Sequence, residues 1–111
     1  KLSLRAAKEN VAENAVHNVY LARLSAEEVA QAMDSVRIFR RLSELPQPLD
    51  EFNLQTLFVD PPRAGLDEHT VAMASRFPTI IYMSCNLQSL ISNLRLLGKT
   101  HGVTEFALFD Q

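Results

Sequence analysis

Three glycines, a single cysteine and no tryptophan are spread over this 111-residue chain, and each scarcity closes off a class of protein. With so few glycines, none of them clustered, the chain carries no loop that could cradle phosphates. One cysteine excludes an internal disulfide framework and fits a reducing compartment. Neither that cysteine nor His17, His69 and His101 stands at metal-site spacing. The longest apolar runs fall far short of the ~20 residues of a membrane span. No stretch at the start reads as a signal peptide, so the expected location is cytoplasmic. Charge of one sign is also lacking: eleven basic against thirteen acidic residues give −2, which is not a strongly basic nucleic-acid surface.

Hydrophobic residues make up 47% of the chain, enough for a globular core and too many for disorder. The length corresponds to one small domain or a piece of a larger one. The absence of an initiator Met, with a helical pattern from the first residues, suggests a segment of something longer.

Leu4, Ala7, Val11 and Ala15 recur at helical spacing and predict an amphipathic helix over residues 2–16. Residues 19–24 read as a short strand, with Val19, Leu21 and Ala22 as candidates for its buried side. Ser25 and Glu28 have capping-box spacing and open a helix to Met33. Val36, Phe39 and Leu42 predict another helix over residues 36–45, which Pro46 and Pro48 end. Residues 56–59 and 79–83 are continuous apolar strands of the kind buried on both faces of a parallel sheet. Asp67 caps a helix to about Arg76. Asn86 caps a longer one with Leu87, Leu90, Ile91, Leu94 and Leu97 on one face, closed by Gly98 and Gly102. Residues 103–109 alternate and read as a last strand. Strands alternating with helices define an α/β class with a mainly parallel sheet.

Both apolar strands stop at polar clusters: Asp60-Pro61-Pro62-Arg63-Ala64-Gly65-Leu66-Asp67 after the first, Ser84-Cys85-Asn86 after the second. In α/β folds, ligands and reacting groups sit just outside such carboxyl ends. Pro61 and Pro62 stiffen the first turn, which could hold the Asp60 carboxylate toward a ligand. The plainer alternative has Asp60 accepting hydrogen bonds from loop amides. Cys85 could be a small core residue. It also stands at a helix start, where the field favours the nucleophilic thiolate. Arg63 could hold a phosphate or orient a carboxylate, or simply form an ion pair. No histidine pairs with Cys85 in the manner of a Cys-His protease.

The segment from Phe58 through Asp67, followed by Ser84-Cys85-Asn86, resembles the RNA uracil-5-methyltransferase family. Within it, Asn18-Val19, Ala26-Glu27-Glu28, His101 and the ending Ala107-Leu108-Phe109-Asp110-Gln111 are most similar to the bacterial tRNA (uracil-5-)-methyltransferase branch. The resemblance covers nearly the whole chain. It implies part of a doubly wound, Rossmann-like methyltransferase domain that uses S-adenosylmethionine on a tRNA substrate, at the T-loop uridine. It implies Cys85 as nucleophile and Asp60 in contact with the cofactor and the uracil site. The family has Pro directly after Ser-Cys-Asn where this chain has Leu87. That is a first helical position, where Pro is favoured but not required.

The resemblance further places the glycine-containing cofactor loop and an RNA-binding domain upstream of Lys1, and the general-base glutamate beyond Gln111. Two strands would then be missing between residues 19–24 and the pair at 56–59 and 79–83. Exposed strand edges of that kind lead the isolated chain either to self-associate or to repack its first helix and strand. Two other readings stay open on the residues alone. One is a non-catalytic α/β interaction module with a core Cys85 and a capping Asp60. The other is a ribosomal RNA uracil-5-methyltransferase.

Overall fold

A computed structural model describes residues 2–110, with Lys1 and Gln111 outside the described residues. The chain forms two compact units, Lys1–Asn53 and Leu54–Gln111. The first contains helices α1 (Leu2–Glu13) and α2 (Ala26–Met33) and two 3-10 turns at Arg40–Leu42 and Leu49–Glu51. The capping box at Ser25 forms as predicted: its hydroxyl accepts from the Glu28 N–H, and Glu28 Oε2 accepts from the Ser25 N–H.

α1 stops short of residue 16 because Ala15 turns into the left-handed region (φ 51°), and the Val16 N–H closes back onto the Val11 carbonyl at 3.0 Å. Residues 19–24 do not form the predicted strand. A strand exists by its ladder, and no described segment pairs with this one. The helix predicted over 36–45 shrinks to the turn at Arg40–Leu42. Phe39 is extended there (φ −107°, ψ 119°), and of the predicted apolar face only Phe39 is fully buried. The Arg37 and Arg41 guanidinium groups lie 4.9 and 5.7 Å from its ring centroid. Arg41 also donates to Glu28 and to the Arg23 carbonyl, which fixes the extended course.

The second unit runs β1 (Thr56–Val59), α3 (Glu68–Ala74), β2 (Thr79–Tyr82), α4 (Leu87–Leu97), in the predicted order. β1 and β2 pair in parallel, Thr56 opposite Thr79 and Val59 opposite Tyr82. The ladder extends one step further, from the Met83 N–H to the Val59 carbonyl at 2.9 Å. The fold is therefore α/β with a small parallel sheet. Val71, Ala74 and Leu97 form its core, with Leu57, Leu66, Ile80 and Tyr82 packed against them. Alternation along each strand sends these sheet residues to one face. The opposite face keeps Phe58 and Ile81 at 56% and 52% exposure, so these strands are covered on one side rather than on both as expected.

On α4 Asn93 and Leu97 are buried and Leu90 and Leu94 half-buried, while Leu87 and Ile91 are exposed. Residues 103–109 join no ladder, and Val103, Phe106 and Leu108 are exposed. His101 ties the start of that segment back to the end of α3. Its Nε2 lies 2.7 Å from the Phe77 carbonyl, which can only accept, so Nε2 carries the proton. Among the described residues no helix is long and apolar enough to cross a membrane.

Candidate active site at the carboxyl ends of two parallel strands

The register puts both polar clusters at one edge of the sheet. Asp60 follows Val59 directly, and Ser84, Cys85 and Asn86 follow within a few residues of its partner Tyr82. Asp60 is exposed, and its carboxylate has no hydrogen-bond or ion-pair partner among the described residues. The loop-cap alternative required such partners. Asp60 lies instead on an open groove of about 450 Å³ that it shares with Phe58, Pro61, Pro62, Gly65 and Thr70. Arg63 is also exposed and makes no ion pair among the described residues.

Cys85 is exposed, so it is not the core thiol of the other alternative. Its backbone is held from both sides. The Ser84 hydroxyl accepts from the Asn86 N–H at 3.1 Å and donates to the Asn86 carbonyl at 2.9 Å. Asn86 Oδ1 accepts from the Gln88 N–H at 2.9 Å and caps α4, with Leu87 at the first helical position. The cap thus forms without the proline of the resembled family. Cys85 does not line the groove beside Asp60; it stands at the end of the neighbouring strand.

Asp67 caps α3 as predicted, its Oδ1 accepting from the Thr70 N–H at 2.7 Å. Hydrogen bonds from the Thr70 side chain and then its backbone N–H hold the carboxyl below the usual aspartate range. A depressed folded pKa stabilises the fold above the unfolded value and is lost as pH falls below about 4 and on through the lower folded value. The Asp67→Asn variant keeps a cap without the charge. Its stability deficit relative to wild type is expected to shrink between pH 6 and pH 2 in denaturant titrations. A deficit that stays constant over that range would overturn this account of Asp67.

One group in this region went unnoticed in the sequence. Asn93 is the buried polar residue of the described core, at 5% exposure. Its Oδ1 accepts from the Leu66 N–H at 2.8 Å and the Tyr82 hydroxyl at 2.7 Å, and its Nδ2 donates to the Leu66 carbonyl at 3.0 Å. Partial burial pushes the Tyr82 phenol above its ordinary value, with the Leu66 backbone opposing, so it stays a donor at neutral pH. A signal was available: Asn93 stands between Leu90 and Leu97 at helical spacing, where a polar residue must find partners.

A parallel βαβα unit with an exposed thiol and an unpartnered carboxylate at one sheet edge belongs to the class of α/β proteins that build sites at strand ends. The family profile for tRNA (Uracil-5-)-methyltransferase matches residues 1–111, and the chain belongs to that family. It is 53% identical over its whole length to the tRNA/tmRNA (uracil-C(5))-methyltransferase of Saccharophagus degradans. It is 52% and 50% identical to the proteins of the same name from Teredinibacter turnerae and Sulfurimonas denitrificans. In each comparison all of this chain aligns with 30% of the relative's length.

Proposed function

We propose that this chain is part of the catalytic domain of an enzyme that methylates C5 of a uridine in tRNA, the T-loop uridine, giving 5-methyluridine. The domain is read as a doubly wound, Rossmann-like sheet of which β1 and β2 are two strands. The observation that carries the reading is the exposed, backbone-clamped Cys85 in the turn after the strand that neighbours Asp60's, in a chain of this family. The tRNA substrate rests on the names of the relatives, which also favour it over ribosomal RNA.

The chemistry explains the need for a thiol. C5 of uracil is a weak nucleophile. Addition of the Cys85 thiolate to C6 moves the ring's electron pair toward C5 and O4, forming an enolate that is nucleophilic at C5. S-adenosylmethionine, when bound, supplies an electrophilic methyl group for that carbon. A base then removes the C5 proton, the C5–C6 double bond reforms, and the Cys85 thiolate leaves. The resemblance puts that base beyond Gln111. The uridine must leave its stack to reach the thiol.

The groove beside Asp60 suits a cationic, partly apolar cofactor: its walls are Phe58, Pro61 and Pro62, its volume is in the range of ligand sites, and its carboxylate is free to accept. Asp60 would hold the cofactor there. The outer edges of β1 and β2 meet no third described strand, and self-association through them belongs to the same reading for the isolated chain.

The test uses the full-length protein, a tRNA transcript and methyl-labelled S-adenosylmethionine. Label is expected in 5-methyluridine after nucleoside digestion, and not in a transcript whose T-loop uridine is replaced by cytidine. Label at another base, or none, would overturn the proposal.

A further inference from the structure

We propose that Asn93 is a positioning residue that couples the Asp60 turn to the Cys85 turn. The inference rests on the function proposed above for those two residues. One carboxamide holds both peptide groups of Leu66, in the turn after β1, and the hydroxyl of Tyr82, on the strand that leads into Ser84 and Cys85. The same helix that carries Asn93 begins at the Asn86 cap beside Cys85. Both turns are thereby referred to a single buried point.

A fold does not need a polar group here. Its neighbours at helical spacing, Leu90, Leu94 and Leu97, are apolar, and Asn93 is as buried as they are or more so, except for Leu97. A buried carboxamide costs desolvation that hydrogen bonds only roughly offset, whereas its directional bonds select one arrangement. The three bonds use the Oδ1 twice and the Nδ2 once, and no buried side-chain polar atom is left unsatisfied among the described residues. Gly65 supports the same arrangement: a β-carbon there would lie 2.5 Å from Asn93 Oδ1, so the turn approaches the carboxamide as closely as a glycine allows.

The test is single-turnover formation of the covalent adduct between full-length enzyme and 5-fluorouridine-containing tRNA, with steady-state kcat and KM. The variants are Asn93→Ala, Tyr82→Phe and the double variant. A displacement of about 1 Å at reacting groups can cost about 100-fold in rate. Asn93→Ala is expected to lower kcat and the adduct rate by a factor approaching that, with KM for tRNA little changed. Tyr82→Phe, which removes one bond and little volume, is expected to lower both rates by a smaller factor. It should add nothing in the Asn93→Ala background, because the link is already cut. Phe77→Leu, a truncation of a buried side chain of the same unit outside the cluster that packs on Leu66 and Tyr82, should lower Tm without this loss of kcat in the folded enzyme. Equal kcat in folded wild type, Asn93→Ala and Tyr82→Phe overturns the proposal, as does a rise in KM alone. If Asn93→Ala does not fold, Tyr82→Phe decides alone. A wild-type enzyme that forms no adduct, or a Cys85→Ala enzyme that still does, overturns the role proposed for Cys85 and this proposal with it.

Discussion

Replacing Cys85 by alanine in the full-length enzyme is expected to abolish the covalent complex with 5-fluorouridine-containing tRNA and to reduce methyl transfer by at least about 10⁴-fold, the scale of losing a covalent nucleophile. The reasoning follows the electrons. Without addition at C6, C5 keeps the reactivity of a neutral uracil, and no other feature of the site supplies that activation. Fluorine at C5 makes the adduct visible. After methyl transfer the carbon holds fluorine and methyl, no proton remains for a base to take, and the thiolate cannot be expelled. The wild-type complex should therefore survive denaturing electrophoresis, and its cross-linked peptide should contain Cys85, the one cysteine of this chain. The variant should still bind tRNA, because Cys85 is an exposed side chain whose turn is held by Ser84 and Asn86 backbone contacts and not by the thiol. An adduct that persists in Cys85→Ala would transfer the nucleophile to another residue.

The elements around this site were legible because local chemistry specifies them. Asp67 and Asn86 have the short acceptor side chains that satisfy the first free N–H groups of a helix, and both do so. β1 and β2 announce themselves as apolar runs, and their parallel pairing follows from the helix between them. The elements that differ depend on partners that a local pattern does not specify. Residues 19–24 and 103–109 have strand composition, yet a ladder needs a second segment, and none pairs with them among the described residues. Residues 36–45 have helical spacing at Val36, Phe39 and Leu42, but the tertiary hold of Arg41 on Glu28 and the Arg23 carbonyl outweighs propensity. At the site, the positions of Asp60 and Cys85 could be read from strand ends. The exposure of each and the carboxamide that links Leu66 to Tyr82 could not, because Asn93 meets Leu66 across 27 residues and Tyr82 across 11.

Gly65→Ala is expected to destabilise the second unit by about 2–5 kcal/mol and to disturb the Asp60 turn with it. Two costs combine. Gly65 sits at φ 82°, in the left-handed region, where a β-carbon costs an L-residue about 1–2 kcal/mol. That β-carbon would also lie 2.5 Å from Asn93 Oδ1, the end of a side chain held by three hydrogen bonds, and 3.1 Å from Ser89 Cβ on α4. Relief by moving the carboxamide breaks its bonds to Leu66 and Tyr82, and a buried polar group left unpaired costs about 1–3 kcal/mol. Denaturant unfolding of wild type, Gly65→Ala, Asn93→Ala and the double variant separates the two costs. In the Asn93→Ala background the clash with the carboxamide is gone, and the backbone cost of about 1–2 kcal/mol should remain together with the tight contact to Ser89 Cβ. The two substitutions should thus couple, with the double variant more stable than the sum of the single losses implies. Strict additivity would mean that the carboxamide already moves freely in the wild type. The turn at Gly65 would then be set by its backbone alone and not by contact with α4.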